Sequence, residues 1–166
     1  MQVKKAGSID IFFSLILLFV FSIASMGLAF SSANGFRRLE KDKCQISELA
    51  IAMSYLNTKV RQNDSLNSIR TETSPSQKGK ALVITEVYDS AICETWIFWD
   101  NGQLRESLVF QGDTEILDAS SPIAKIGGMD VTYKQSIESL DKIEIHLVGD
   151  SEREPKQLTL SLFLRT

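Results

Sequence analysis

Four charged side chains fall within one stretch of strand-like sequence: Glu86, Glu94, Arg105 and Glu106. Carboxylates next to a cation are the raw material of general acid–base chemistry when their surroundings push their proton affinities apart. The setting here argues otherwise. These residues lie in runs of alternating apolar and polar character, and charges on the open face of an antiparallel sheet pair across strands at modest gain. His146, the one histidine, alternates with Lys142 and Glu144 on the polar side of "KIEIHLV", so it reads as a solvated residue rather than a base or ligand. No cysteine or histidine cluster has metal-ligand spacing. Gly127-Gly128 lacks the lysine and following helix of a phosphate-binding loop, and no serine stands in a nucleophile elbow. The expectation is a chain that is not an enzyme and carries no metal or cofactor.

Two other groups invite a chemical reading. Cys44 and Cys93 are too few and too far apart for a disulfide framework, which leaves two readings open: one Cys44–Cys93 bridge outside the cytoplasm, or two unpaired thiols. The aromatic cluster in "CETWIFWD" puts Trp96 and Phe98 on one face of a strand and Trp99 on the other. Either both sides of that strand are covered by core, helix or loop, or one aromatic face is a docking surface. The formal charge is −3, and no basic block offers a nucleic-acid surface.

The elements that would position these residues begin with an apolar stretch. From Ile9 to Phe30 the only strongly polar residue is Asp10, at the edge. As a helix rising about 1.5 Å per residue, the stretch spans roughly 30 Å, the thickness of the hydrocarbon core of a bilayer. It exceeds the apolar region of a typical signal peptide, about 7–15 residues, so a retained anchor is expected at 9–30 with a cytoplasmic head at 1–8. Lys4 and Lys5 precede it while Arg37, Arg38, Lys41 and Lys43 follow, and the charge rule loses force when a whole domain follows the span; orientation stays open. Asp10 suits the positive end of the helix dipole, or else a contact with another subunit.

Residues 31–63 carry Leu39, Ile46, Leu49, Met53, Leu56 and Val60 at helical spacing, the stripe of an amphipathic helix packed on the domain's own core. Asn34-Gly35 marks a place where the helix bends or breaks, because glycine is costly there. Residues 64–80, with Pro75 and Gly79, read as a polar surface linker. From Ala81 to Thr166 the period becomes two. "ALVITEVY" and "CETWIFW" precede Asn101-Gly102, a strong hairpin signal because both turn residues accept positive φ. A weaker run, "SPIAKI", and "MDVTYKQSI" flank Gly127-Gly128, and "KIEIHLV" and "QLTLSLFLR" form a second hairpin. The predicted fold is α+β: a transmembrane helix continuing into an amphipathic helix that covers an antiparallel sheet.

This layout resembles the type IV pilin-like proteins. The residues that carry the likeness are the basic head, the single span, "SYLNTKVRQND" closing the helix, "ALVITEVYDSAICETWIFWDNGQLRES" as a strand and hairpin, and the final strand pair. The closer similarity is to minor pseudopilins of the competence ComGF kind, and to a family of short single-span proteins from Gram-positive bacteria. The resemblance covers nearly the whole chain as a pattern of elements. It implies a subunit held in the cell membrane with its C-terminal domain outside, assembling with other pilin-like subunits through the N-terminal helix into a short pseudopilus for secretion or DNA uptake. It also implies prepilin-type cleavage between Gly7 and Ser8. The family's glutamate at the fifth mature position then falls at Phe12, and Asp10 comes two places early. A single-span anchored binding module that does not polymerise is the alternative.

Overall fold

The computed structural model describes residues 6–65, 67–89, 91–134, 141–151 and 154–164. The chain divides into two compact units, Met1–Asp42 and Lys43–Thr166. Helix α1, Ala6–Gln62, contributes to both. Lys4 and Lys5 of the basic head lie outside the described residues, and the rest of that head, from Ala6, is already helical.

In the first unit α1 has no apolar partner: every side chain described from Asp10 to Asp42 is exposed. A helix that is apolar on all sides is stable only inside a protein or a membrane, and this stretch is long and apolar enough to cross a membrane once. Of the two outcomes expected at Asn34-Gly35, interruption does not occur: α1 runs through the pair, as the predicted continuation of one helix into the other requires. One glycine costs about 1 kcal/mol in a helix interior, too little to outweigh the hydrogen bonds lost by ending it.

The second unit begins within α1. Leu49, Ala52, Leu56 and Val60 point inward and are at most 1% exposed, with Met53 and Tyr55 packed at their flanks. The inward stripe differs from the predicted one at its start. Gln45 is buried, whereas Ile46 is 47% exposed and Leu39 belongs to the first unit. Lys59 and Arg61 in the last turn complement the negative end of the helix dipole. Asn63 closes the helix, its backbone N–H and side-chain amide both donating to the Lys59 carbonyl, at 3.2 and 3.1 Å.

Two antiparallel meanders follow, where the sequence pattern suggested one sheet. The first has five strands in chain order: β1 (Ile69–Thr73), β2 (Lys80–Tyr88), β3 (Ala91–Asp100), β4 (Gln103–Phe110) and β5 (Ser121–Lys125). The second has three: β6 (Gly128–Lys134), β7 (Lys142–Val148) and β8 (Gln157–Phe163). The division falls at Gly127, where the backbones come so close that a Cβ would lie 2.6 Å from the Gly149 carbonyl oxygen. The tip of the β3–β4 hairpin is the predicted one, with φ of 45° at Asn101 and 81° at Gly102.

Strand β1 occupies the middle of the predicted polar linker. Ile69, Thr71 and Thr73 share one face and Arg70 and Glu72 the other, and Ile69 is buried opposite Ile84. The segment is polar because one face of this edge strand meets charged partners, not because it lacks structure.

The main core gathers the inward face of α1, one face of the first sheet (Leu82, Ile84, Ile97, Leu104, with Trp99 beside them) and the inner face of the second (Val131, Ile143, Ile145, Leu147, Leu162). A smaller core lies on the other face of the first sheet. There Ala81, Val83, Trp96, Phe98 and Val109 are closed over by Ile116 from the loop after β4. Of the two readings of the aromatic cluster, the covered one holds: Phe98 is fully buried, Trp96 is 7% exposed, and the Trp99 indole donates to the Ile126 carbonyl at 2.9 Å.

Candidate membrane anchor and assembly surface

Gly7 and Ser8 lie in the first turn of α1, and the first turn holds no acidic residue. Asp10 sits one turn inside the helix and is exposed, so it does not cap the free N–H groups. Phe12 is 68% exposed and begins the continuous apolar surface with Ile11 and Phe13.

A second feature of α1 was not singled out from the sequence. In the part of the helix that belongs to the second unit, the side turned away from the core exposes Ile46, Ser47, Ala50, Ile51, Ser54 and Thr58. None is charged over three turns, and Ile46 and Ile51 are each 47% exposed. A recess of about 530 Å³ lies along this side, lined by Ser47, Ala50, Ile51, Ser54, Tyr55 and Thr58. Small uncharged side chains allow another backbone to approach closely, whereas a solvated helix face normally carries charge. The serine, alanine and threonine lie at helical spacing in the sequence, but only the sheets show that this side of the helix is the uncovered one.

The charged residues considered for catalysis serve the fold. Glu94 is buried, its carboxylate accepting from Arg70 Nη2 at 3.0 Å and from the Trp96 indole at 3.1 Å. Arg70 also donates to Glu72 and to the Thr85 hydroxyl. Partial burial pulls the Arg70 guanidinium down, but hydrogen bonds and charge from Glu72 and Glu94 outweigh it and hold its proton above the usual range. Glu106 faces α1 and pairs with Lys59 at 2.7 Å. Beside it, burial first and then the Glu106 carboxylate push the Tyr55 hydroxyl far up. Arg105 turns to the other face and donates to the Ser120 hydroxyl and carbonyl, both at 2.7 Å. Glu86 stands opposite Cys93 in the β2–β3 ladder, away from the others. Glu86, Glu94, Arg105 and Glu106 are therefore not brought into one site. His146 is exposed, with Nδ1 2.9 Å from the Thr159 hydroxyl. Among the described residues no group of three histidine, cysteine or acidic side chains is disposed to hold a metal ion.

Cys44 and Cys93 are both free thiols, Cys44 exposed and Cys93 half-buried. Their placement explains why. Cys44 lies one turn before Glu48 on α1, which accepts from the Lys125 backbone N–H, and Lys125 pairs with Gln103 at the hairpin end of β4. Cys93 pairs with Phe110 at the far end of that strand, roughly 23 Å away at about 3.3 Å per residue. Lys125 itself is held above its ordinary range, chiefly by its hydrogen bond to Asp150 and then by that carboxylate's charge. Its backbone N–H donates to Glu48 at 2.7 Å, fixing α1 to the end of β5.

No curated protein and no solved structure matches the chain. One protein family does, described as a domain of unknown function (DUF4860), over residues 47–144. The matched region runs from the uncharged face of α1 through the five-stranded sheet and into β7. It covers more than half of the sequence, and the chain belongs to the DUF4860 family.

Proposed function

We propose that this chain is a membrane-anchored, minor-pseudopilin-like structural subunit of a type II secretion, type IV pilus or competence-type assembly. Helix α1 anchors it in the cell membrane, and the domain from Lys43 onward lies outside the cytoplasm. The observation that carries this reading is the surface of α1: exposed and apolar from Ile11 to Phe30, and, beyond the charged stretch at 37–43, uncharged and small along Ser47, Ala50, Ser54 and Thr58. Such a surface suits packing against the equivalent helices of other subunits, first in lipid and then in a filament. Gly7 and Ser8 are the processing residues in this reading, and Asp10 takes the place of the missing acid at Phe12 as the contact to a neighbouring subunit's N-terminus.

Mass spectrometry of the N-terminus, on protein from membranes of the producing cell, tests it. The expected mature chain starts at Ser8; an intact Met1 terminus counts heavily against assembly. Phe12 itself favours a second reading, a single-span anchored binding module that never polymerises. For that reading, crosslinking of the chain into a pilus-like complex is the excluding result.

A further inference from the structure

We infer that β8 is a docking edge for a second copy of this chain, pairing antiparallel with the same strand of that copy about a two-fold axis. β8 is the outer strand of its sheet, and among the described residues no strand pairs with its outer side. Its open edge can be read from the ladder. The Leu164 N–H donates to the Asp141 carbonyl and the Gly149 N–H to the Lys156 carbonyl. In the β7–β8 register these fix the even-numbered residues of β8 as the ones bonded to β7. The N–H and C=O groups of Gln157, Thr159, Ser161 and Phe163 therefore point outward.

Exposed edges are normally blunted by charge or proline. The other three edge strands are: Arg70 and Glu72 stand in β1, Pro122 and Lys125 in β5, Asp130 and Lys134 in β6. β8, "QLTLSLF", has no charge, no proline and no glycine, the composition of a segment that pairs with its own kind. A recess of about 390 Å³ separates Ser161, Leu162 and Phe163 from Val60, Arg61 and Asp64 at the end of α1.

The occupant follows from the order of residues. Centred on Leu160, the strand reads the same chemistry in both directions: leucine, hydroxyl, leucine, hydroxyl, leucine. In an antiparallel pair about that centre, Leu160 meets Leu160, Leu158 meets Leu162, and Thr159 meets Ser161. This register also pairs odd residues with odd ones, as the open edge requires, for about eight hydrogen bonds. Hydroxyl pairs and leucine pairs directly across strands are favourable, and the two-fold contact closes on itself instead of propagating. The inference is independent of filament assembly, because it uses β8 and not α1.

The test uses the full-length chain in detergent micelles. Leu160→Cys, in a Cys44→Ser/Cys93→Ser background, places two sulfurs across a non-hydrogen-bonded pair with Cα atoms about 4.5 Å apart, within disulfide reach. Mild oxidation is expected to give a covalent dimer. Thr159→Lys/Ser161→Lys sets lysines opposite each other twice and is expected to raise the dimer dissociation constant about a hundredfold or more. Thr159→Lys/Ser161→Glu sets opposite charges there and is expected to retain the dimer. Sedimentation measures the association, and circular dichroism shows that each variant is folded. A wild-type chain that stays monomeric, a double-lysine variant that dimerises as the wild type does, or a dimer that Leu160→Cys fails to crosslink overturns the inference.

Discussion

Removing Arg70 probes the small core behind the first sheet. Glu94 retains 6% side-chain exposure, and Arg70 is its cationic partner, itself 36% exposed. Breaking a fully buried ion pair by deleting one member costs about 3–5 kcal/mol, because the remaining charge is left without compensation. Here water can enter the space that Arg70 vacates, so Arg70→Ala is expected to cost about 2 kcal/mol. Glu94→Gln keeps the volume but turns an amide N–H₂ toward either Arg70 or the Trp96 indole, donor against donor, at about 1–2 kcal/mol. Because both changes break one contact, the double variant should fall about 1 kcal/mol short of the sum. Urea denaturation of the full-length chain in detergent, followed by far-ultraviolet circular dichroism, measures all three. On heating, Arg70→Ala should lower Tm by roughly 8 °C, at about 4 °C per kcal/mol. An Arg70→Ala variant within about 0.5 kcal/mol of wild type, or strictly additive costs, would refute the argument that this pair holds β1 to the sheet.

The remaining predictions concern the lysine-flanked carboxylate, the sheet crossover and the helix face. Hydrogen bonds from Lys142 and Lys134 hold the Glu144 carboxyl below its ordinary value. Its contribution to stability is therefore present above the unfolded carboxylate range and lost as pH falls through the lower, folded value; a Glu144→Gln variant should differ from wild type at neutral pH and converge with it in acid. Gly127→Ala should cost about 1–3 kcal/mol, since the added methyl meets the Gly149 backbone, whereas Gly128→Ala, with nothing nearer than 3.9 Å, should stay within about 0.5 kcal/mol on the same denaturation assay. Ser54→Lys lies on the exposed side of α1 and should leave domain stability within about 0.5 kcal/mol. In the proposed assembly the same change is expected to abolish crosslinking to other subunits in the producing cell; undiminished crosslinking would show that this side of the helix is not buried by assembly.

The order of elements was legible because each signal is local. A run of twenty mostly apolar residues without a charge, alternation in "KIEIHLV" and "QLTLSLF", and two turn residues able to adopt positive φ each follow from a short window. What depends on distant partners was not. β1 looks like linker because Arg70 and Glu72 are charged, and only the position of Glu94, 24 residues later, explains why a charged strand is ordered there. Gln45 rather than Ile46 turns inward because the bare backbone of Gly149 lies against it, a neighbour that no periodicity reveals. The split into two sheets follows from strand pairing over a distance, β6 pairing with β7 and not with β5, which no short window shows. For the candidate surface, Gly7, Ser8 and Asp10 could be placed along the sequence. The uncharged helix face and the open edge of β8 needed the sheets to show which side was covered.

The opposite orientations of Trp96 and Trp99 make β3 a built-in pair of optical reporters. They are the only two tryptophans in the chain, and they sit in different cores, one beneath the loop that carries Ile116 and the other against the main core, bonded to the Ile126 carbonyl. Replacing each in turn by phenylalanine would leave one emitter per compartment. The two spectra could then record separately whether the loop lifts from the sheet before the helix does, or whether both sides come apart in a single step.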